Sequence, residues 1–308
     1  NYLQRFVKLF FYIALISIIL FTIIRLFGFN SFSGIFPHLY TSFYREGQVY
    51  SYGGFLYRFV TLHSDRNCGP FGEPGQYQCV LAVALYFTLF RPLLFKEKER
   101  MLYMIVFFFA LITTLSTSGY ISLSILIFCF LLHSSRTTDK RMKKIYIAMI
   151  IGTVFFMSTT KVGSEFMNTV IFHKIYANGQ LDFSLSSGGA RTISISSVLS
   201  TIYHHPITLV GVGYDELRNM GVGGCAGFLF LLLAIGIMPF SILFGFCFYQ
   251  VFKYNKGIWD IIVRILLVLN MGLGQPHIMN FALFTMMLYP YFIANSFKKT
   301  NTYYVRDC

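Results

Sequence analysis

Arg191, His204 and His205 bring a cation and two imidazoles into one polar stretch, GGARTISISSVLSTIYHHPITLVGVG, residues 188–213 of a chain that is otherwise mostly apolar. Gly188 and Gly189 give a flexible start. Pro206 forbids helix beyond His205, because proline disfavours helical geometry in the residue before it and lacks the N–H. Between these limits Ile195, Val198, Leu199 and Ile202 fall three and four apart and form one apolar stripe, while Arg191, Ser194, Thr201 and His205 fall on a different face. An arginine fork matches the paired oxygens of a phosphate. Amides near Gly188 and Gly189, at a helix start, would favour an anion further. His205, or its neighbour His204, is the residue type most able to take a proton near neutral pH. The spacing therefore predicts a short amphipathic helix with a cation, hydroxyls and an imidazole on one face, which suits an anionic ligand. Along a continuous helix Arg191 and His205 stand about 21 Å apart at roughly 1.5 Å per residue, so they meet two parts of an extended substrate and do not grip one atom. Such a helix could lie along a membrane surface.

A second constellation precedes it: Arg58, His63, Asp65, Arg66, Cys68 and the run GPFGEPGQY with Glu73 and Pro74. Glu73 is the alternative base to the histidines. Taken alone, Glu73–Pro74 reads equally well as an ordinary helix start, since proline loses nothing at the first helical position and a carboxylate there faces the positive helix end. Arg191 alone reads as a solvated loop residue, and His-His-Pro as an interfacial helix end.

These stretches must be positioned by apolar elements. Of 308 residues 56% are hydrophobic and 12% charged, and the mean hydropathy is +0.62, too apolar for a soluble domain. The expected class is an all-α polytopic membrane protein. Eight spans are expected, at 6–27, 77–95, 101–116, 120–133, 145–160, 225–251, 258–274 and 278–296, with long outside loops at 28–76 and 161–224. Several are shorter than the roughly 20 residues of a typical spanning helix. Alternation puts every short loop rich in Lys or Arg inside, as in RPLLFKEKER and HSSRTTDKRMKK. The net charge of +13 is therefore mostly topology and does not signal nucleic acid.

Topology does not explain Arg45, Arg58, Arg66, Lys161, Lys174, Arg191 and Arg218, which fall in the outside loops, where the positive-inside bias thins cations out. With them fall Glu73, Asp182, Asp215, Glu216, His204 and His205. A phosphate-bearing ligand outside the cytoplasmic leaflet is the inference. Tyrosines crowd the first outside loop, where packing is the more frequent explanation than sugar stacking. Asp260 and Arg264 are four apart on the seventh span and read as a snorkelling interfacial pair. Six cysteines show no CxxC spacing, so no metal is signalled, and Cys68 with Cys79 is the only pair to consider as a bridge.

The assembled motifs resemble the O-antigen polymerases of the Wzy type, membrane enzymes of Gram-negative surface polysaccharide assembly. Arg66, Phe71, Glu73, Pro74 and Gly75 resemble the R-x-x-x-x-F-x-E-P-[GS] element that leads into a transmembrane helix. LSTSGYISL, residues 115–123, is similar to the Ser-rich turn between two linked helices of this family and of O-antigen ligases. Arg191, His205, Pro206, Gly211, Gly213 and Tyr214 resemble its R…HP…G-x-G-[YF] element. The resemblance covers residues 66–214. It implies a GT-C-like transmembrane bundle with two large periplasmic loops in the inner membrane. That enzyme would work without a cofactor, metal or nucleotide sugar, moving the growing glycan from undecaprenyl diphosphate onto the next lipid-linked repeat unit. Arg191 and Arg66 would hold the departing diphosphate, and His205 or Glu73 would activate the acceptor hydroxyl. Arg218, Tyr214, Arg58 and His204 would be further substrate contacts. Its partners would be the lipid-linked donor and acceptor and the bilayer, with a chain-length regulator and a flippase as candidates. The family usually has more spans, which with Asn1 in place of Met predicts an N-terminally incomplete chain. An O-antigen ligase shares the architecture and the donor. A flippase or transporter is disfavoured, because no charged residue is read near mid-membrane and no repeated halves are found.

Overall fold

A computed structural model of the chain describes residues 2–30, 41–45, 48–53, 56–133, 137–160, 176–177, 180–181, 196, 200, 203, 210–219, 227–254, 257–274 and 282–288. It is mostly helical. In chain order the helices are α1 (Tyr2–Phe27), α2 (Pro74–Phe90), α3 (Glu97–Thr113), α4 (Thr117–His133), α5 (Thr137–Thr159), α6 (Tyr214–Asn219), α7 (Gly227–Ile235), α8 (Ile237–Tyr254) and α9 (Ile258–Gly274). Two of them, α1 and α8, are long and apolar enough to cross a membrane.

The chain forms two compact units. The first comprises Asn1–Leu132 with Ile265–Asn270 and Asn280–Met286. Its centre is α2, buried along its length apart from Gln76. A helix apolar on every side must be enclosed, and α1 and α3 pack against it. The inner face of α1 carries Leu3, Phe6, Val7, Phe10, Ala14 and Ser17, at steps of three and four. The turn after α2 is held by Arg100, which is buried and donates from Nε to the Thr88 carbonyl (2.7 Å) and from Nη2 to the Leu89 carbonyl (2.7 Å). A guanidinium thus satisfies carbonyls that the end of a helix leaves open. Arg100 belongs to the cationic run read as a topology signal, and it also joins α3 to α2.

One departure from the all-α expectation lies in residues 41–60. Strands β1 (Thr41–Arg45), β2 (Gln48–Gly53) and β3 (Arg58–Val60) form an antiparallel sheet in the order β1-β2-β3. Tyr and Val are strand formers, and the run is broken by glycines into strand-length pieces. Tyr57 and Ile24 are buried together, with Phe29 and Phe59 against them, so the sheet rests on the end of α1. Phe29 stacks on Phe59 at 4.3 Å and meets Tyr52 at 4.9 Å, so these rings serve packing. Two further strands, β4 (Tyr176–Ala177) and β5 (Gln180–Leu181), pair with each other.

In the second unit the stretch 225–251 holds two helices, α7 and α8, broken at Gly236, whose φ is 84°. A left-handed residue ends α7 and Pro239 sits in the first turn of α8, a common stop and restart. The segment before α6 docks on the end of α7: Val212 N donates to Leu233 O and Gly213 N to Ala234 O, each at 3.0 Å. Gly211, at φ 83°, touches this backbone so closely that an added Cβ would strike Gly236 N, Ala234 O and Ile235 C. Leu217 of α6 is buried with Phe230, Leu233 and Ala234.

Asp260 and Arg264 of this unit do pair, Nη2 to Oδ2 at 3.3 Å, but side-chain exposure of 5% and 0% overturns the expectation of a snorkelling interfacial pair. The spacing brought the two together, and the surrounding protein enclosed them.

Candidate functional site

The first unit gathers Arg58, Asp65, Arg66 and Glu73 around the thiol of Cys68, on which all four charges act. Arg58 opens β3, and its backbone N–H donates to Gly69 O at 2.6 Å. Its Nη1 lies 3.6 Å from where a Cβ on Gly72 would sit, which puts the guanidinium over the residue preceding Glu73. Arg66 is half-buried, its Nε 3.8 Å from Asp65 Oδ1 and without a hydrogen bond. The Asn67 backbone N–H next to Arg66 donates to Thr113 O at 2.9 Å, at the end of α3, so the expected Ser-rich turn stands beside this loop. That turn contains Leu115 at φ 48°, a left-handed conformation that costs a branched side chain about 1 kcal/mol or more.

Glu73 occupies the N-cap of α2, with Pro74 in its first turn. The ordinary helix start is thus borne out, with proline in the first turn and the acidic residue beside it; the backbone carbonyl of Glu73 takes the N–H groups of Gln76 and Tyr77, and its side chain makes no cap hydrogen bond. The half-buried carboxylate therefore remains disposable for chemistry.

Beneath the loop lies a buried polar layer that sequence reasoning missed. Asn67 donates from Nδ2 to Ser17 Oγ (3.2 Å) and Thr113 Oγ1 (3.1 Å), and its Oδ1 accepts from Gly69 N (3.0 Å). Tyr77 Oη shares a hydrogen bond with Ser17 Oγ at 2.7 Å. Deeper, Gln78 donates to Ser118 Oγ and accepts from Ser122 Oγ, both at 3.3 Å, while Asn270 Nδ2 donates to Ser118 O and Ser122 Oγ, both at 2.8 Å. This deeper group ties α2, α4 and α9 together. A scattered serine or asparagine in an apolar run was its only sequence signal.

Cys68 and Cys79 are both free and buried, so the pair considered for a bridge is not one. Burial pushes the Cys68 thiol up from 9.0 to about 12, with Arg66 opposing and Glu73 reinforcing the shift. The thiol is thus a packing group rather than a nucleophile. Among the described residues no cluster of three His, Cys, Asp or Glu side chains could hold a metal ion.

Of the expected site residues the structure brings together Arg58, Arg66 and Glu73. Tyr214 and Arg218 belong to α6 in the second unit. The Tyr214 ring is exposed and meets the edge of Phe230 at 4.9 Å. Arg191, His204 and His205 lie outside the described residues. The arrangement that is described, two guanidiniums and an uncommitted carboxylate on one loop, can hold a multiply charged oxyanion and accept a proton beside it. No protein-family model, curated protein or solved structure matches the chain.

Proposed function

We propose that this protein is an O-antigen polymerase, transferring a growing glycan from undecaprenyl diphosphate to the next lipid-linked repeat unit at the periplasmic face of the inner membrane. The observation that carries the reading is the loop bearing Arg58, Arg66 and Glu73, with a carboxylate that does not cap its helix. In the transfer, the acceptor hydroxyl oxygen bonds to the anomeric carbon of the growing chain. The bond from that carbon to the diphosphate oxygen breaks, and its electron pair leaves on the diphosphate. Glu73 or His205 takes the acceptor proton. Arg66 and Arg191, with Arg58, meet the charge developing on the diphosphate, an electrostatic form of catalysis.

The membrane placement has physical support of its own. α1 turns Leu9, Tyr12 and Ile19 outward, and α8 turns Met238, Ile242, Phe246 and Phe252 outward, apolar faces that lipid would cover. Helices α2, α3, α4 and α9 have 17 residues each, about 26 Å at roughly 1.5 Å per residue, at the short end of spanning lengths. An eight-span GT-C-like bundle with periplasmic loops 28–76 and 161–224 follows from this reading.

The test is the surface polysaccharide of a cell lacking the protein. Lipopolysaccharide core capped with a single repeat unit is the expected result. Uncapped core with polymer retained on its lipid carrier would replace the reading with a ligase, and repeats trapped on the cytoplasmic side would replace it with a flippase.

A further inference from the structure

We propose that Asn67 is a positioning residue, a buried amide clamp that sets the Arg58 and Arg66 guanidiniums in one register for a lipid diphosphate; the inference rests on the reading of this loop given above. Arg66 is the neighbour of Asn67 in the chain, and Arg58 reaches it through Gly69. The clamp has ends on separate elements. The Nδ2 group donates to Ser17 Oγ on α1 and to Thr113 Oγ1 on α3, and the Asn67 backbone N–H donates to Thr113 O at 2.9 Å. On its other side Oδ1 receives Gly69 N, and Gly69 O in turn receives Arg58 N at 2.6 Å.

Two details say that the fit is tight. Gly69 has φ 53°, and an added Cβ would lie 2.7–2.8 Å from the ring atoms of Tyr77, whose hydroxyl is bonded to the same Ser17. Asn67 has no exposed surface, so it does not itself touch the diphosphate. Its amide is bonded to α1, to α3 and to Gly69, whose carbonyl receives the Arg58 N–H. Fixed direction is what a bidentate fork needs, since displacement of a binding group by about 1 Å costs up to about a hundred-fold.

The experiment measures affinity of the full chain in lipid nanodiscs for undecaprenyl diphosphate and undecaprenyl monophosphate, alongside the thermal transition. Asn67→Ala is expected to bind the diphosphate about ten- to a hundred-fold more weakly while still unfolding cooperatively. Gln78→Met, which breaks the deeper polar group without touching the loop, is expected to lower the transition and leave that affinity within about two-fold, a difference below 1 kcal/mol. If Asn67→Ala does not fold, Thr113→Val decides, because it removes one anchor at nearly constant volume and is expected to weaken the diphosphate alone. A folded Asn67→Ala, or in its place a folded Thr113→Val, with wild-type affinity overturns the clamp. Equal loss for Asn67→Ala and Gln78→Met overturns it as well, since the effect is then general destabilisation. Wild-type protein that does not bind undecaprenyl diphosphate overturns the reading of the site and the clamp with it.

Discussion

Replacing Arg264 by leucine leaves the Asp260 carboxylate enclosed without its guanidinium. At 3.3 Å the attraction is about 5 kcal/mol with an effective dielectric constant of about 20. Desolvation offsets much of this in the intact pair, but removing one partner leaves the other charge buried, which costs roughly 3–5 kcal/mol. Asp260→Asn with Arg264→Leu leaves no charge behind and is expected to recover most of that loss. Both side chains make further contacts, so the coupling between the substitutions, and not either single loss, reads the pair. Reversible unfolding in mixed detergent micelles gives the four stabilities. A coupling of about 2 kcal/mol or more is expected. Single losses below about 1 kcal/mol with no coupling, the behaviour of a solvent-exposed pair, would refute the enclosure and restore the snorkelling pair.

Gly211→Ala combines a left-handed φ with a Cβ driven into the end of α7, so a loss of about 2–5 kcal/mol is expected in the same assay. Gly213→Ala has φ 90° but open space around the new methyl, and about 1 kcal/mol is expected; equal losses would refute the docking of this segment. Maleimide labelling of a variant with Cys68 as its only cysteine should be negligible at pH 8. Its thiolate fraction there is about one in ten thousand at a pKa of about 12, against about one in ten at 9.0, and rapid labelling of folded protein would contradict the burial. The sign for stability follows: the folded thiol holds its proton longer than the unfolded one, so what Cys68 lends is whole below 9.0 and is lost as pH rises through about 12. Glu73→Gln should lower polymer formation about 10²–10⁴-fold without lowering protein level, because the carboxylate caps nothing; full polymer from that variant would leave His205 as the base. Arg191→Ala should abolish polymer in a protein still found in the membrane, with Arg191→Lys also poor because lysine lacks the fork, and full-length polymer from the alanine variant would remove Arg191 from the mechanism.

Hydropathy located the helices well where an apolar run is long and uninterrupted: the seventh expected span and α9 share the bounds 258–274. It joined α7 to α8 because Gly236 and Pro239 are too few to interrupt an average over that window, although a glycine closely followed by a proline is a legible stop and restart. The sheet over 41–60 was legible as well, in an aromatic and Val-containing run between glycines, but a stretch read as a loop between spans was not expected to fold into strands. The grouping of Arg58, Arg66 and Glu73 could be read because all three fall within residues 58–73, near one another in the chain. The bonds of Asn67 to Ser17 and Thr113 could not, since neither helix partner is near it in the chain and no periodicity records which serine faces which asparagine.

The polar layer also bears on why an apolar bundle would tolerate such residues. Each buried amide or hydroxyl in this unit costs free energy unless bonded, and the buried amides of Asn67 and Gln78 and the half-buried amide of Asn270 all have partners. Packing among Leu, Phe and Val alone is permissive of sliding, because one apolar contact substitutes for another. A bonded amide is not, since a slip by one residue leaves both partners unmatched in a place water does not reach. Gln78, Ser118, Ser122 and Asn270 therefore fix the register of α2, α4 and α9, and Asn67 extends the same constraint to the loop. Stability is the smaller part of what they contribute. The larger part is that Arg66 and Glu73 stand on a loop whose position is tied, through Asn67, Ser17 and Thr113, to the helices beneath it.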